Sequence, residues 1–473
     1  MKKITVLLFA ISLILVLMLS VTSVSCKTAT TTTTAAETTA AAETTAAVTT
    51  AAAETTAAET VEKPFAGTSI TVLELTATHR EEAYRDWSAE FEQKTGIKVT
   101  VLDFGWEQMH DKYATDFISQ TGQFDVLGSD PGWNGEFYNF YESLDPYIKR
   151  DGVPDEADYL PVYQKVIGRS ALRPDRYGIP TTGQAMTLFY RTDLFEAAGI
   201  PTPENFKSWD DFIAAEKALN SDKVAGFVTA GVNVQLVKSF FSVYLAPGWT
   251  KDIFTEDWKP LFNGPEGVAA MEKLKEIFKY STKGVMGMDV PDANTVFLAG
   301  DAAMLTNWPN TIQPLLDDPA QSKVVGKWAA CAPPGPGNLG PWMLSISKYS
   351  KNKDAAWEFI KFVTSKEKSI EFMLKYGNLA TTKSIWNDPA VVDKYPGAKG
   401  VADVIAKSFW PLYLDHPKGL SFFVEVGAIT SNALNGVSTS QEALNALADK
   451  WNNEFNNPPV TNIKYPSLSS QIK

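Results

Sequence analysis

Cysteine and histidine are nearly absent, with two and three copies in 473 residues. Two cysteines exclude a disulfide scaffold, and His79, His110 and His416 lie too far apart in sequence to suggest a metal cage. A basic surplus is missing as well: the formal net charge is −12, so no global field exists to hold DNA, RNA or anionic lipid. No Gly-x-Ser-x-Gly elbow, Walker loop or His-Glu-x-x-His pair occurs. Gly335-Pro-Gly-Asn-Leu-Gly340 spells a dinucleotide motif, but it follows a proline pair and precedes an apparent strand. No helix N-terminus is expected there to hold a pyrophosphate, and no cofactor is expected. What the chain has in quantity is aromatic surface, 12% of residues with 13 Trp among them.

One apolar run stands apart. Met1-Lys2-Lys3, the stretch Ile4–Leu19 and the small residues 20–25 have the three-part build of a secretory leader, too short for a comfortable span. The leader ends at Cys26, and Ser23-Val-Ser-Cys26 is similar to a bacterial lipobox with Ser at the usual Leu position. Residues 1–25 are therefore expected to be removed and Cys26 to carry lipid. Loss of Lys2 and Lys3 deepens the net charge to −14. Residues 26–62 form the tether, almost all Thr, Ala and Glu after the Cys. They cannot bury enough surface to offset ordering, and as a coil they reach about 30–36 Å.

From Phe65 the pattern changes to alternating strands and helices. Ile70–Leu75, Ile97–Leu102 and Phe124–Leu127 read as strands. A helix over about Arg80–Lys94 places Tyr84, Trp87 and Phe91 on one stripe and stops at Gly96, and another follows near Glu107–Gln120. Met186–Tyr190 continues as a strand. Ser208–Asp211 and Thr439–Glu442 read as capping boxes, the second opening a helix with Leu444, Leu447, Trp451 and Phe455 on one face, and a helix is expected near Glu266–Tyr280. Such alternation predicts an α/β fold with mostly parallel sheets flanked by helices, and ligand crevices beyond the strands' carboxyl ends. Two such loops, Asp103–Trp106 and Gly128–Trp133, each carry a carboxylate and a Trp. Asp103, Asp130, Trp106 and Trp133 are thus candidate ligand residues, as is Trp342 after the Pro-Gly loop. Asp130 also fits an Asx turn or helix cap. Cys331 reads as a buried thiol.

Five stretches, in this order and spacing, resemble one family. They are Phe91–Val99, Gly122–Val126, Tyr177–Pro180 leading to Leu188–Gly199, Phe297–Met304 with Trp308-Pro309, and Ser350–Ile360. The chain resembles the extracellular solute-binding proteins of ABC importers, in the sugar-binding group that includes maltose-binding protein. The resemblance implies two α/β lobes, one of residues 64–175 and 335–380 and the other of 176–334 and 381–473. A ligand cleft lies between them and a hinge closes it. It also implies a monomer that binds a sugar or oligosaccharide, delivers it to permease subunits outside the cytoplasm, and performs no covalent chemistry. Trp308, after the segment ending in Met304, would stack on ligand with Asn307 as a hydrogen-bonding neighbour, and Phe423 falls where the family places a stacking aromatic. Trp410 and Tyr413 are assigned to packing between lobes. A secreted glycoside hydrolase is the rival reading, since a Trp-rich cleft with carboxylates would have the same composition. A non-sugar ligand such as glycerol phosphate is the other.

Overall fold

The computed structural model describes residues 63–153, 156–170, 173–245, 251–395, 398–461 and 464–465. The leader, Cys26 and the tether lie outside the described residues. Nine strands are described: β1 (Ser69–Leu75), β2 (Lys98–Phe104), β3 (Val126–Ser129), β4 (Ile179–Thr182), β5 (Thr187–Arg191), β6 (Ala225–Thr229), β7 (Ala302–Asn307), β8 (Trp328–Cys331) and β9 (Trp342–Ile346). They form two sheets, of order β2-β1-β3-β9-β4 and β6-β7-β5-β8.

The first lobe is built as the pattern predicts, with β1 parallel to both β2 and β3. The helix Arg80–Thr95 ends where Gly96, at φ 83°, turns left-handed and returns its N–H to Glu92. Its stripe meets helices that come back late in the chain: Tyr84 and Phe91 pack edge-on against Phe359 at 5.6 and 5.4 Å, and Trp87 against Phe372 at 5.5 Å. The helices Lys353–Val363 and Lys366–Tyr376 therefore seal one face of the first sheet. In the second lobe both expected capping boxes form, at Ser208–Asp211 and Thr439–Glu442. The stripe after Thr439 changes pitch, since Trp451–Phe455 is a π-helical turn.

Two expectations are corrected. The sheets are mixed rather than mostly parallel, because β9 runs antiparallel to β3 and β4, and β5 antiparallel to β7 and β8. These strands enter or leave a lobe at a crossing, so no helical crossover dictates their direction. The lobe boundaries also move. The strand Ile179–Thr182 pairs with β9 in the first sheet, so the chain leaves that lobe after Thr182 instead of at 175. Near the last crossing, the helix Pro389–Lys394 still packs on Lys366–Tyr376, and the Tyr395 hydroxyl donates to Met373 O at 3.2 Å. Residues 381–395 thus side with the first lobe, while the helix Ala398–Ala406 touches β8 in the second.

Candidate functional site

A cavity of about 640 Å³ opens between the two sheets' loops. One wall is the first lobe's strand ends and the loops after them: Leu75 at the end of β1 with Thr78 beyond it, Gly105–Gln108 after β2, and Asp130 with Gly132 after β3. The opposite wall is the second lobe's, with Lys238 from the helix Asn233–Leu245, Trp308 and Asn310 after β7, and Phe423 from Gly419–Leu434. The crossing segment Asn338–Trp342 forms the floor, together with Gln184. The second half of the Gly335–Gly340 motif, Asn338–Gly340, thus lines the cavity as loop, with β9 after it.

Asp130 caps the short turn Pro131–Trp133: one oxygen accepts from Gly132 N at 2.8 Å, and the other from the Trp106 indole at 2.9 Å. Both the capping role and a place on the wall hold for this residue. Burial pushes its carboxyl above the ordinary range, against the pull of those two hydrogen bonds. Trp106, half-buried at the start of the helix Trp106–Ser119, has the His110 ring behind it at 6.5 Å. The His110 pKa is raised by its hydrogen bond to Glu136. Trp342 is nearly covered, with the Arg80 guanidinium 4.2 Å above its ring. Arg80 itself is fully buried and donates to Glu74 at 2.9 Å. Glu74 fits only because position 128 is glycine, where a Cβ would meet its carboxylate at 2.5 Å.

Trp308 is half-buried on the second-lobe wall, with the Lys238 ammonium 4.2 Å above its ring. Gly340 lies so near the indole that a Cβ there would come within 2.5 Å of it. Lys238 donates to Gln235 one turn earlier, and burial lowers its pKa to about 7 despite the charges of Asp130 and Asp289.

Of the eight candidate ligand residues, the cavity gathers Trp106, Asp130, Trp308, Trp342 and Phe423, and leaves out three. Trp133 is 0% exposed, wedged among Trp106, Tyr113, Phe137 and Trp342, because the helical turn after Asp130 rotates it into the core. Asn307 is also fully buried. It accepts from Trp308 N at 2.9 Å and donates to Asn294 at 2.8 Å, so it positions the tryptophan rather than facing the cavity. Asp103 turns outward to an ion pair with Arg85 on the neighbouring helix. Trp410, read as packing, is on the cavity wall. Arg80, Gln184 and Lys238 were not legible, although Arg80 sits directly after a strand-end loop, the position that singled out the others.

The profile of the bacterial extracellular solute-binding proteins matches residues 76–369, most of the described chain. This chain belongs to that family. A probable amino-acid ABC transporter periplasmic-binding protein of Sinorhizobium fredii is 26% identical over 347 residues, 72% of this chain and 79% of that protein. A mannitol-binding protein of Pseudomonas aeruginosa is 24% identical over 375 residues, 72% of this chain and 82% of that protein. Among solved structures, an ABC transporter solute-binding protein of Agrobacterium radiobacter K84, in complex with ribitol, is 26% identical. It matches 82% of this chain and 99% of its own, with a TM-score of 0.73. Members of this family bind solutes outside the cytoplasm, and a cavity between two lobes is the corresponding feature here.

Proposed function

We propose that this solute-binding protein captures a neutral polyhydroxy solute, a sugar or polyol, for an ABC importer. The observation that carries the reading is the polar complement of the cavity wall. Among the described residues, the buried donors Arg80 Nε and Nη1 and the buried acceptors Gln184 Oε1 and Asn310 Oδ1 have no partners. A hydroxyl donates and accepts, so a run of hydroxyls answers both kinds, while Trp106 and Phe423 offer apolar surface to its CH groups. The charges Arg80 and Glu74 cancel within the wall, which favours a neutral ligand over a phosphate ester. The ribitol and mannitol named for the relatives agree with this chemistry, and the volume falls within the roughly 300–1,000 Å³ usual for small-molecule sites.

Ligand contacts to both lobes would close the hinge, and the closed form would dock on the permease. One chain supplies both walls, which supports a monomer. The leader and Cys26 support lipid attachment on the outer face of the membrane, with the tether leaving the lobes free to move.

Calorimetric titration of ribitol, D-mannitol and maltose tests the reading, with a mixture of L-amino acids as the contrast. Binding of at least one polyol or sugar is expected. Tight binding of an amino acid alone would overturn the ligand class.

A further inference from the structure

We infer that Lys238 is a specificity-determining residue: with Asp130 on the facing lobe it brackets one hydroxyl of the bound ligand, while Trp308 serves as its support. The inference rests on the polyhydroxy reading and adds to it a residue, a hydrogen-bond arrangement and a link to closure.

Four observations lead there. The Lys238 ammonium lies 4.2 Å over the Trp308 ring, which fixes a long side chain at the cavity surface. Its hydrogen bond goes to the neutral Gln235 side chain, and among the described residues it forms no ion pair. An ammonium has three donors, so two remain for whatever enters the cavity. The charged groups that act on it are Asp130, from the first lobe, and Asp289, just before the helix Val290–Leu298. The helix Gly419–Leu434, packed against Lys238's own helix, presents only Leu420 and Phe423 to the cavity.

Asp130 mirrors this arrangement. Each of its oxygens accepts a hydrogen bond from its own lobe, leaving lone pairs for the ligand. A hydroxyl between the two would accept from Lys238 and donate to Asp130. Because the partners stand on opposite lobes, that hydroxyl ties the walls together and rewards closure. The same geometry withdraws one face of Trp308 from stacking, since the ammonium already covers it. With its pKa lowered to about 7, Lys238 changes charge around neutral pH, and a ligand hydroxyl that accepts from it would favour the charged form. Binding should then be tighter below that pH than above it.

The test titrates ribitol, D-mannitol and maltose into the wild-type protein and the Lys238→Met, Lys238→Arg and Asp130→Asn variants, at pH 6.0 and 8.5. For a ligand that the wild type binds, affinity should be at least fivefold higher at pH 6.0. Lys238→Met should weaken binding twentyfold or more at pH 6.0 and flatten the pH dependence. Lys238→Arg should keep affinity within tenfold and also be flat. Asp130→Asn should weaken binding but keep the sign of the dependence. Melting temperatures without ligand should stay near wild type, since methionine and arginine retain the apolar stem. Binding by Lys238→Met within threefold of wild type would overturn the inference and leave the polyhydroxy reading standing. A pH dependence unchanged in Lys238→Met would assign it to another titratable group, such as Asp130 itself or His110 behind Trp106, and would overturn it equally. If the wild type binds none of the three, both readings fall.

Discussion

Trp308 is half-buried between Lys238 and Gly340, whereas Trp133, from the matching loop of the other lobe, has no exposed surface at all. Their different surroundings separate a wall residue from a core residue. Trp308→Ala should therefore weaken ligand binding by about 2–4 kcal/mol, the scale of a binding hot spot, because it removes the support under Lys238 together with its own part of the wall. It should lower unliganded stability by much less than the roughly 3–5 kcal/mol of a truncated core Trp. Calorimetry and a melting curve read the two effects separately, and a large stability loss with normal affinity would return Trp308 to the core. The residue types at this site were visible in sequence. Which of them face the cavity was not, because a turn of one residue decides whether an indole after a strand points in or out. Trp106 and Trp133 fell on opposite sides of that decision.

At the scale of elements, periodicity and caps were the legible signals. The helices expected over Arg80–Lys94 and Glu266–Tyr280 are Arg80–Thr95 and Pro265–Phe278, because cap chemistry is local. Strand direction was illegible, as the mixed sheets show: the antiparallel partners come from more than 110 residues away in sequence, as with Tyr190 and Met304. The helix Trp209–Leu219 carries another feature no pattern announces. Glu216 on it is fully buried against Gly226, and neither carboxylate oxygen has a hydrogen-bond partner among the described residues. Burial, with the Glu276 charge adding, raises its pKa from 4.5 to about 9. Between those two values the folded chain keeps a proton that the unfolded chain has lost. Stability is thus greatest below the lower value and declines as pH rises through the window, by up to about 1.4 kcal/mol per unit. Glu216→Gln removes the ionisable group, so its melting temperature relative to wild type should climb between pH 5 and 8.5. A constant difference across that range would show that Glu216 ionises normally.

Among the described residues the chain leaves the first lobe after Thr182 and after Tyr395 and re-enters it before Trp342, and contacts between the lobes go beyond the cavity wall. Gly135, just after Trp133, lies under the His416 carbonyl, where a Cβ would come within 2.1 Å. The segment Leu412–Asp415 and the helix after it rest on that same part of the first lobe. The proposed tether is a separate matter, since the sequence of residues 28–60 is almost entirely Thr, Ala and Glu and supplies few large apolar side chains for packing on a lobe. Deleting them should leave ligand affinity within tenfold, or about 1.4 kcal/mol, of the full chain. Replacing Cys26 with alanine should move the protein from the membrane to the soluble fraction, and retention would point to an uncleaved anchor.

Composition and order along the chain were enough, by themselves, to determine the α/β alternation and the family, and they are all that the proposed leader and tether rest on. These follow from local hydrophobicity, turn and cap chemistry, and from five short stretches kept in register. Tertiary structure alone decided that Lys238 stands over Trp308 on the wall of the cavity that Asp130 also lines, and that Arg80 is buried over Trp342. Nothing in a helix's own sequence marks one lysine for burial. Desolvation and opposed charge arise only when distant segments close around the side chain, and here those segments belong to different lobes.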